Sequence, residues 1–183
     1  MNATVPMQIP LRVKVLLVTD FLSTFATIGQ ITIIGKQVYD MTGRELDLGL
    51  LGLAEFAPLA VLAPLTGSLS DRLDRRKVLG VALVGEATAS LLLFLYARSD
   101  PTSITPIFAI VLLFGVSRAF AFPAGRALAI DLSPHEVVPR VIALKSVCFQ
   151  AGHIAGPVTF GFVFIADESL PYFLSFLSLL VAA

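Results

Sequence analysis

The chain has 183 residues, of which 56% are hydrophobic and 14% charged, and its formal net charge is zero. A soluble domain usually carries about a quarter charged residues, so this chain has too few polar side chains to cover a water-facing globule. The neutral balance gives no electrostatic basis for nucleic-acid binding. We therefore expect an integral membrane protein with the lipid bilayer as its main solvent. The single cysteine, Cys148, excludes an internal disulfide and a multi-cysteine metal site.

Five stretches are long and apolar enough to cross a membrane, which requires about 20 residues in a helix. They lie at residues 12–35, 48–70, 77–97, 104–130 and 138–165. A sixth stretch, residues 170–183, is too short for about 30 Å of hydrocarbon at about 1.5 Å per residue. The sequence predicts one all-α bundle over residues 1–183, with short polar loops, of which Lys36–Asp47 is the longest. The incomplete sixth helix favours a truncated or fragmentary chain over a natural half-length protein.

Basic residues in the short loops predict the orientation, because cytoplasmic loops carry more Lys and Arg than loops on the other side. Three basic residues fall on one side: Lys36, Arg44 and Arg98. Nine fall on the other: Arg12, Lys14, Arg72, Arg75, Arg76, Lys77, Arg126, Arg140 and Lys145. We therefore predict a cytoplasmic N-terminus, with the loops at 70–77 and 131–145 also in the cytoplasm.

The loop between the second and third spans, residues 67–77, carries a recognisable motif. It resembles the signature G-x-x-x-D-R-x-G-R-R of the major facilitator superfamily, with Asp74 where the family has a second glycine. Asp71 lies near a helix C-terminus, where the helix dipole does not favour it, so it needs a cation or another helix N-terminus as partner. Arg75 can bind carboxylates through two hydrogen bonds. The predicted cytoplasmic gate is Gly67, Asp71, Arg72, Arg75, Arg76 and Asp131; the alternative is a topology signal alone.

The fifth span carries a second motif, Gly152, Gly156, Pro157 and Gly161. It resembles the antiporter signature G-x-x-x-G-P-x-x-G-G of the same superfamily, with Phe160 where the family has the first glycine of the last pair. Gly152 and Gly156 share one helix face and permit close approach of a neighbouring helix. Pro157 removes a backbone hydrogen bond and bends the helix. The alternative is a general small-residue packing face.

Residues 122–131, with Pro134-His135-Glu136 and Ile142-Ala143-Leu144 after them, resemble the branch containing enterobactin exporters and macrolide-efflux permeases. The resemblance covers nearly the whole chain, as the N-terminal six-helix half of a twelve-helix fold. It implies a bacterial plasma or inner membrane protein that exports small molecules in exchange for protons. It also implies a central cavity shared with a C-terminal half or a second copy.

Polar and charged side chains within the spans are candidates for that cavity, because such groups are costly in lipid. The predicted set is Asp20, Thr24, Thr27, Gln30, Glu55, Arg118 and His153. The cavity-lining position of helices one and four in the resembled family favours Asp20 as the partner of Arg118, although depth alone slightly favours Glu55. Glu86 lies on the third helix, which the resemblance places away from the cavity, so we predict a structural role for it.

The sequence contains no phosphate-binding glycine loop, no nucleophile elbow and no set of His and Cys residues at metal-ligand spacing. It therefore predicts a protein that is not an enzyme, has no cofactor or metal, and is not driven by ATP. A proton-coupled exporter of amphipathic or hydrophobic compounds, of the drug or siderophore class, is the favoured interpretation. The alternative is a truncated, non-transporting membrane remnant or scaffold, and an importer is a weaker third option.

Overall fold

The computed structural model describes residues 9–183, except the side chains of residues 67–72. The described chain is all helical, without a β-strand. Its helices are α1 (Leu11–Thr42), α2 (Glu45–Arg72), α3 (Arg75–Ala97), α4 (Thr105–Asp131), α5 (Val138–Ala166) and α6 (Leu170–Ala182), and a 3-10 turn (His135–Val137) precedes α5. The first five are long and apolar enough to cross a membrane, and α6 has 13 residues. The predicted fold class is confirmed.

The predicted loop Lys36–Asp47 is wrong, because α1 continues through Thr42 and α2 begins at Glu45. Lys36 pairs with Asp40 one turn later at 2.5 Å, so the polar end of α1 is stabilised as helix. Gly43 ends the helix in the left-handed conformation (φ 60°), and its N–H donates to a carbonyl of the last turn. Glycine adopts this conformation without steric cost. The connection is therefore only two residues long.

Five helix pairs build most of the bundle: α1 packs on α5 and α6, α3 packs on α4 and α6, and α2 packs on α4. Large apolar side chains remain exposed on its outside, including Ile165 (81% exposed), Val81 (74%) and Phe162 (72%). Apolar surface of this extent is unusual on a water-soluble monomer. It fits a bundle whose outer surface faces lipid.

The predicted close approach at the fifth helix is present, and the neighbour is α1. A Cβ atom on Gly156 would lie 2.6 Å from the carbonyl oxygen of Phe25, and one on Gly152 would lie 2.9 Å from Cβ of Thr24. Gly161 differs, since no atom of another helix among the described residues lies within 4 Å of its Cβ position. Phe160 is fully buried and covers Gly29 of α1, where a Cβ atom would lie 2.5 Å from its ring. The phenylalanine that departs from the family motif thus occupies space left by a glycine on α1.

The turn between α5 and α6 is held by Asp167. Its carboxylate oxygen Oδ1 accepts hydrogen bonds from the Ser169 backbone N–H at 2.7 Å and from the Ser169 hydroxyl at 2.5 Å. These hydrogen bonds to the charged form lower the pKa of Asp167 below its ordinary value of 3.8. The carboxylate also lies beside the N-terminus of α6, where the helix dipole favours negative charge.

Candidate functional site

A cavity of about 370 Å³ lies among α1, α3, α4 and α5. Its charged lining residues are Asp20, Glu86, Arg118, Arg126 and Lys145. Neutral polar groups, aromatic rings and aliphatic side chains form the rest of the wall, among them Ser23, Thr24, Ser146, Gln150, Phe122, Phe149, Leu79 and Leu83. A cavity with apolar surface and a few polar groups is the usual form of a small-molecule site.

Asp20 forms an ion pair with Lys145, which donates to Oδ2 of the carboxylate. The lysine ammonium also lies 3.4 Å from the carbonyl oxygen of Gly125. The pair therefore joins α1 to α5 and touches α4. Each of the two side chains is only 20% exposed, so the attraction acts in a medium of lower dielectric than bulk water.

The prediction that Lys145 belongs to the cytoplasmic loop at 131–145 is wrong. This lysine lies two turns inside α5, which begins at Val138, and its side chain lines the cavity. One sequence feature could have identified Lys145 as a cavity residue: the intramembrane Asp20 needs a cation at a similar depth. The cation predicted from the sequence above is Arg118 instead of Lys145.

The predicted pairing of Arg118 with Asp20 is wrong, because Arg118 donates through Nη1 to Oε1 of Glu55. Packing of α4 on α2 explains the choice of partner. A Cβ atom on Gly115, one turn before Arg118, would lie 2.6 Å from the carbonyl oxygen of Glu55. The two backbones therefore lie close together near these charged side chains. Arg118 still lines the cavity from α4.

Glu86 also lines the cavity, contrary to the prediction that the third helix lies away from it. Its side chain is 2% exposed, and Oε2 accepts a hydrogen bond from the Thr27 hydroxyl at 3.4 Å. Leu79, Leu83 and Glu86 follow one another at helical spacing and all line the cavity. One face of α3 therefore forms part of its wall.

The predicted cavity set only partly lines the cavity, and Glu55 is not among the lining residues. Thr24 and Thr27 line it from α1, whereas Gln30 is completely buried and is not among the lining residues. His153 on α5 is not among them either, and its ring packs 4.5 Å from that of Phe149, centre to centre. Nδ1 of His153 has no hydrogen-bond partner among the described residues.

At one end of the bundle, Nη1 of Arg75 lies 2.5 Å from Oδ2 of Asp131, which joins the start of α3 to the end of α4. Asp74 caps α3, since its carboxylate accepts a hydrogen bond from the Arg76 backbone N–H at 3.0 Å. This capping role accounts for an aspartate where the resembled motif has glycine. The predicted gate residues Gly67, Asp71 and Arg72 lie outside the described side chains.

The five long apolar helices define a multi-pass membrane protein with a charged cavity between its helices. The family model of the Major Facilitator Superfamily matches residues 16–183. The chain therefore belongs to this superfamily.

Similar proteins include two bacterial resistance proteins. The chain is 33% identical over 128 residues to the tetracycline resistance protein, class E, of Escherichia coli. This match covers 66% of the chain and 28% of the relative. It is 26% identical over 127 residues to the quinolone resistance protein NorA of Staphylococcus aureus. This match covers 69% of the chain and 31% of NorA. The matched region thus spans less than a third of the length of either relative.

Proposed function

We propose that this chain forms the N-terminal half of a secondary active exporter that carries small amphipathic or hydrophobic compounds in exchange for protons. Family membership and the resistance proteins among its relatives support transport and efflux. The resemblance of residues 122–131 to enterobactin and macrolide exporters keeps siderophores beside drugs as candidate substrates. A C-terminal half, or a second copy of this chain, would supply the other wall of the transport path.

The observation that carries the proposal is the Asp20–Lys145 ion pair in the cavity wall. Protonation would neutralise Asp20 and end its attraction to Lys145. Lys145 then keeps only the nearby carbonyl of Gly125 and becomes available to an anionic or polar substrate group. Because the pair joins α1 to α5, binding of a proton and movement of these helices are coupled in this mechanism.

The second pair, Arg118 with Glu55, has a separate part in the proposal. It holds α4 against α2 and keeps the guanidinium group at the cavity wall. Removal of either partner would leave an unpaired charge within the bundle, which is costly. We assign this pair to positioning the cavity and the Asp20 pair to coupling.

The proposed cytoplasmic gate is the contact between Arg75 and Asp131, with Asp71 as the third expected member. The Asp131 side chain is 49% exposed. Exposed ion pairs contribute little net stability, so such a contact can break and form again during a transport cycle.

The test is transport by the protein expressed from its complete reading frame in a bacterial strain that lacks its own drug exporters. A panel of amphipathic drugs and catecholate siderophores is loaded, and efflux is measured with and without a proton gradient. Asp20→Asn should reduce gradient-driven efflux at least tenfold while the protein still inserts. Asp40→Asn is the matched control, because it removes an exposed aspartate that pairs with a lysine on the same helix.

Two results would contradict the proposal. One is efflux by Asp20→Asn at the level of the wild-type protein. The other is insertion of the complete protein without gradient-driven movement of any compound in the panel, which would favour the non-transporting scaffold.

A further inference from the structure

A buried polar layer lies behind the cavity, where α1, α3 and α6 meet. Its side chains are nearly or completely buried and come from all three helices: Thr27, Gln30, Glu86, Ser90 and Ser175. Two hydrogen bonds cross between helices in this layer. One joins the Thr27 hydroxyl to Glu86, and the other joins the hydroxyls of Ser90 and Ser175 at 3.2 Å.

Gln30 is the exception within this layer. Its side chain is 0% exposed, and neither Oε1 nor Nε2 has a hydrogen-bond partner among the described residues. An amide group offers one acceptor oxygen and two N–H donors. Buried polar groups in folded proteins are almost always satisfied, by protein or by ordered water. A completely buried amide with both ends unpaired therefore indicates a bound polar molecule.

The register of the helices shows which groups surround this amide. Two hydrogen bonds fix α6 along α1, from the Thr19 hydroxyl to the Ala182 carbonyl and from the Tyr172 hydroxyl to Gln37. The two contacts show that α1 and α6 run antiparallel, and Gln30 and Ser175 both lie between them. On α3, Ser90 is one turn beyond Glu86, just as Gln30 is one turn beyond Thr27. The amide therefore lies at the level of the Ser90–Ser175 pair.

We propose that Gln30 binds a buried water molecule that connects Glu86 to the Ser90–Ser175 pair. Water is the ligand that fits, because the surrounding groups are neutral hydroxyls and an amide, and one carboxyl group. A buried water typically makes about three hydrogen bonds to groups of this kind. The Glu86 carboxyl group then has one side toward the substrate cavity and a hydrated side toward α6.

The inference rests on the proposed exporter function for its consequence. A hydrated contact behind Glu86 lets this carboxyl group exchange a proton while substrate fills the cavity in front of it. Water can accept a proton on one side and release another on the opposite side, so no proton has to pass through the substrate. The path for protons and the path for substrate would then share only the carboxyl group.

The direct test is the stability of Gln30→Met in the complete protein, since methionine has a similar length and no amide. If the amide holds water, its removal leaves the hydroxyls and Glu86 less satisfied, and the melting temperature should fall by several degrees. If the amide is simply unsatisfied, its removal relieves a cost and the melting temperature should rise or stay unchanged, which overturns the proposal. Gln150→Met, at the open cavity wall, is the matched control and should leave the melting temperature unchanged.

A double-mutant cycle with Ser175→Ala separates a shared water from independent packing losses, in case both single variants are less stable. Groups that share one water should be coupled, so the double variant should lose little more than Gln30→Met alone. Additive losses overturn the shared site. In a high-resolution map of the complete protein, density for water should lie within hydrogen-bond distance of the amide; a direct protein partner for the amide there overturns it as well.

Transport supplies the readout that separates this inference from the proposed function. Gln30→Met should shift the pH at which efflux is half-maximal, with substrate binding unchanged. An unshifted pH profile in an active protein overturns the proton route. A complete protein without transport contradicts the exporter proposal, while the melting temperatures and the density still decide the water site.

Discussion

Replacement of Lys145 by methionine tests the central ion pair most directly. The variant keeps a side chain of similar length but leaves the Asp20 carboxylate without its cation. At an effective dielectric constant of about 20, two unit charges about 4 Å apart attract by about 4 kcal/mol. Loss of one partner from a fully buried pair costs about 3–5 kcal/mol. Because both side chains are 20% exposed toward a cavity, we expect a smaller loss of about 2 kcal/mol.

The assay is thermal unfolding of the purified protein in detergent, followed across a range of pH. Each kcal/mol shifts the melting temperature of a protein of about 150–250 residues by about 2–4 °C. The variant should therefore melt several degrees lower at neutral pH. The deficit should shrink in acid, because protonation of Asp20 removes the unpaired charge that causes it.

Asp20→Asn combined with Lys145→Met provides the internal check. The double variant contains neither charge and should recover most of the lost stability, while proton-driven efflux stays impaired. Lys36→Met, which breaks the exposed pair with Asp40, should change the free energy of unfolding by about 0–1 kcal/mol. Equal losses in Lys36→Met and Lys145→Met, or additive losses in the double variant, would refute the assignment of a special pair in the cavity.

Three further predictions concern packing, the gate and a helix cap. Gly156→Ala should cost about 1–3 kcal/mol in chemical unfolding because the new methyl group meets a backbone carbonyl of α1, whereas Gly161→Ala, which meets no atom within 4 Å, should not destabilise. Asp131→Asn should leave the melting temperature within a degree or two but slow efflux, since the exposed contact with Arg75 matters for cycling rather than stability; wild-type efflux would contradict this. Asp167→Ala should lower the melting temperature above about pH 4 and much less below it. The pKa of Asp167 is lower in the folded protein than in the unfolded chain, so its carboxylate stabilises the fold above the unfolded pKa. This stabilisation is lost as the pH falls through the pKa of the folded protein. A difference independent of pH would exclude the carboxylate as its cause.

Much of the candidate site could be predicted residue by residue, but its pairing could not. Asp20, Thr24, Thr27 and Arg118 were recognised as intramembrane polar groups, and all four line the cavity. From charge and depth in the membrane alone, both Asp20 and Glu55 were possible partners of Arg118. The choice of Glu55 depends on the contact of α4 with α2 at Gly115, which is a relation between distant segments. Lys145 lies inside the predicted span 138–165 but was counted with the basic residues of the loop at 131–145, and only the packing of α5 on α1 brings it to Asp20.

The sequence by itself determined that the chain spans a membrane, where its helices lie and which glycines permit close packing. Hydrophobic length and small-residue spacing are local properties, and the bilayer acts on each segment separately. Only the tertiary structure decided which charges meet, that Glu86 faces the cavity, and that a Cβ atom on Gly156 would meet α1 while one on Gly161 would meet no neighbouring helix among the described residues. These outcomes depend on the rotation and register of whole helices against one another, to which every contact along a helix contributes at once.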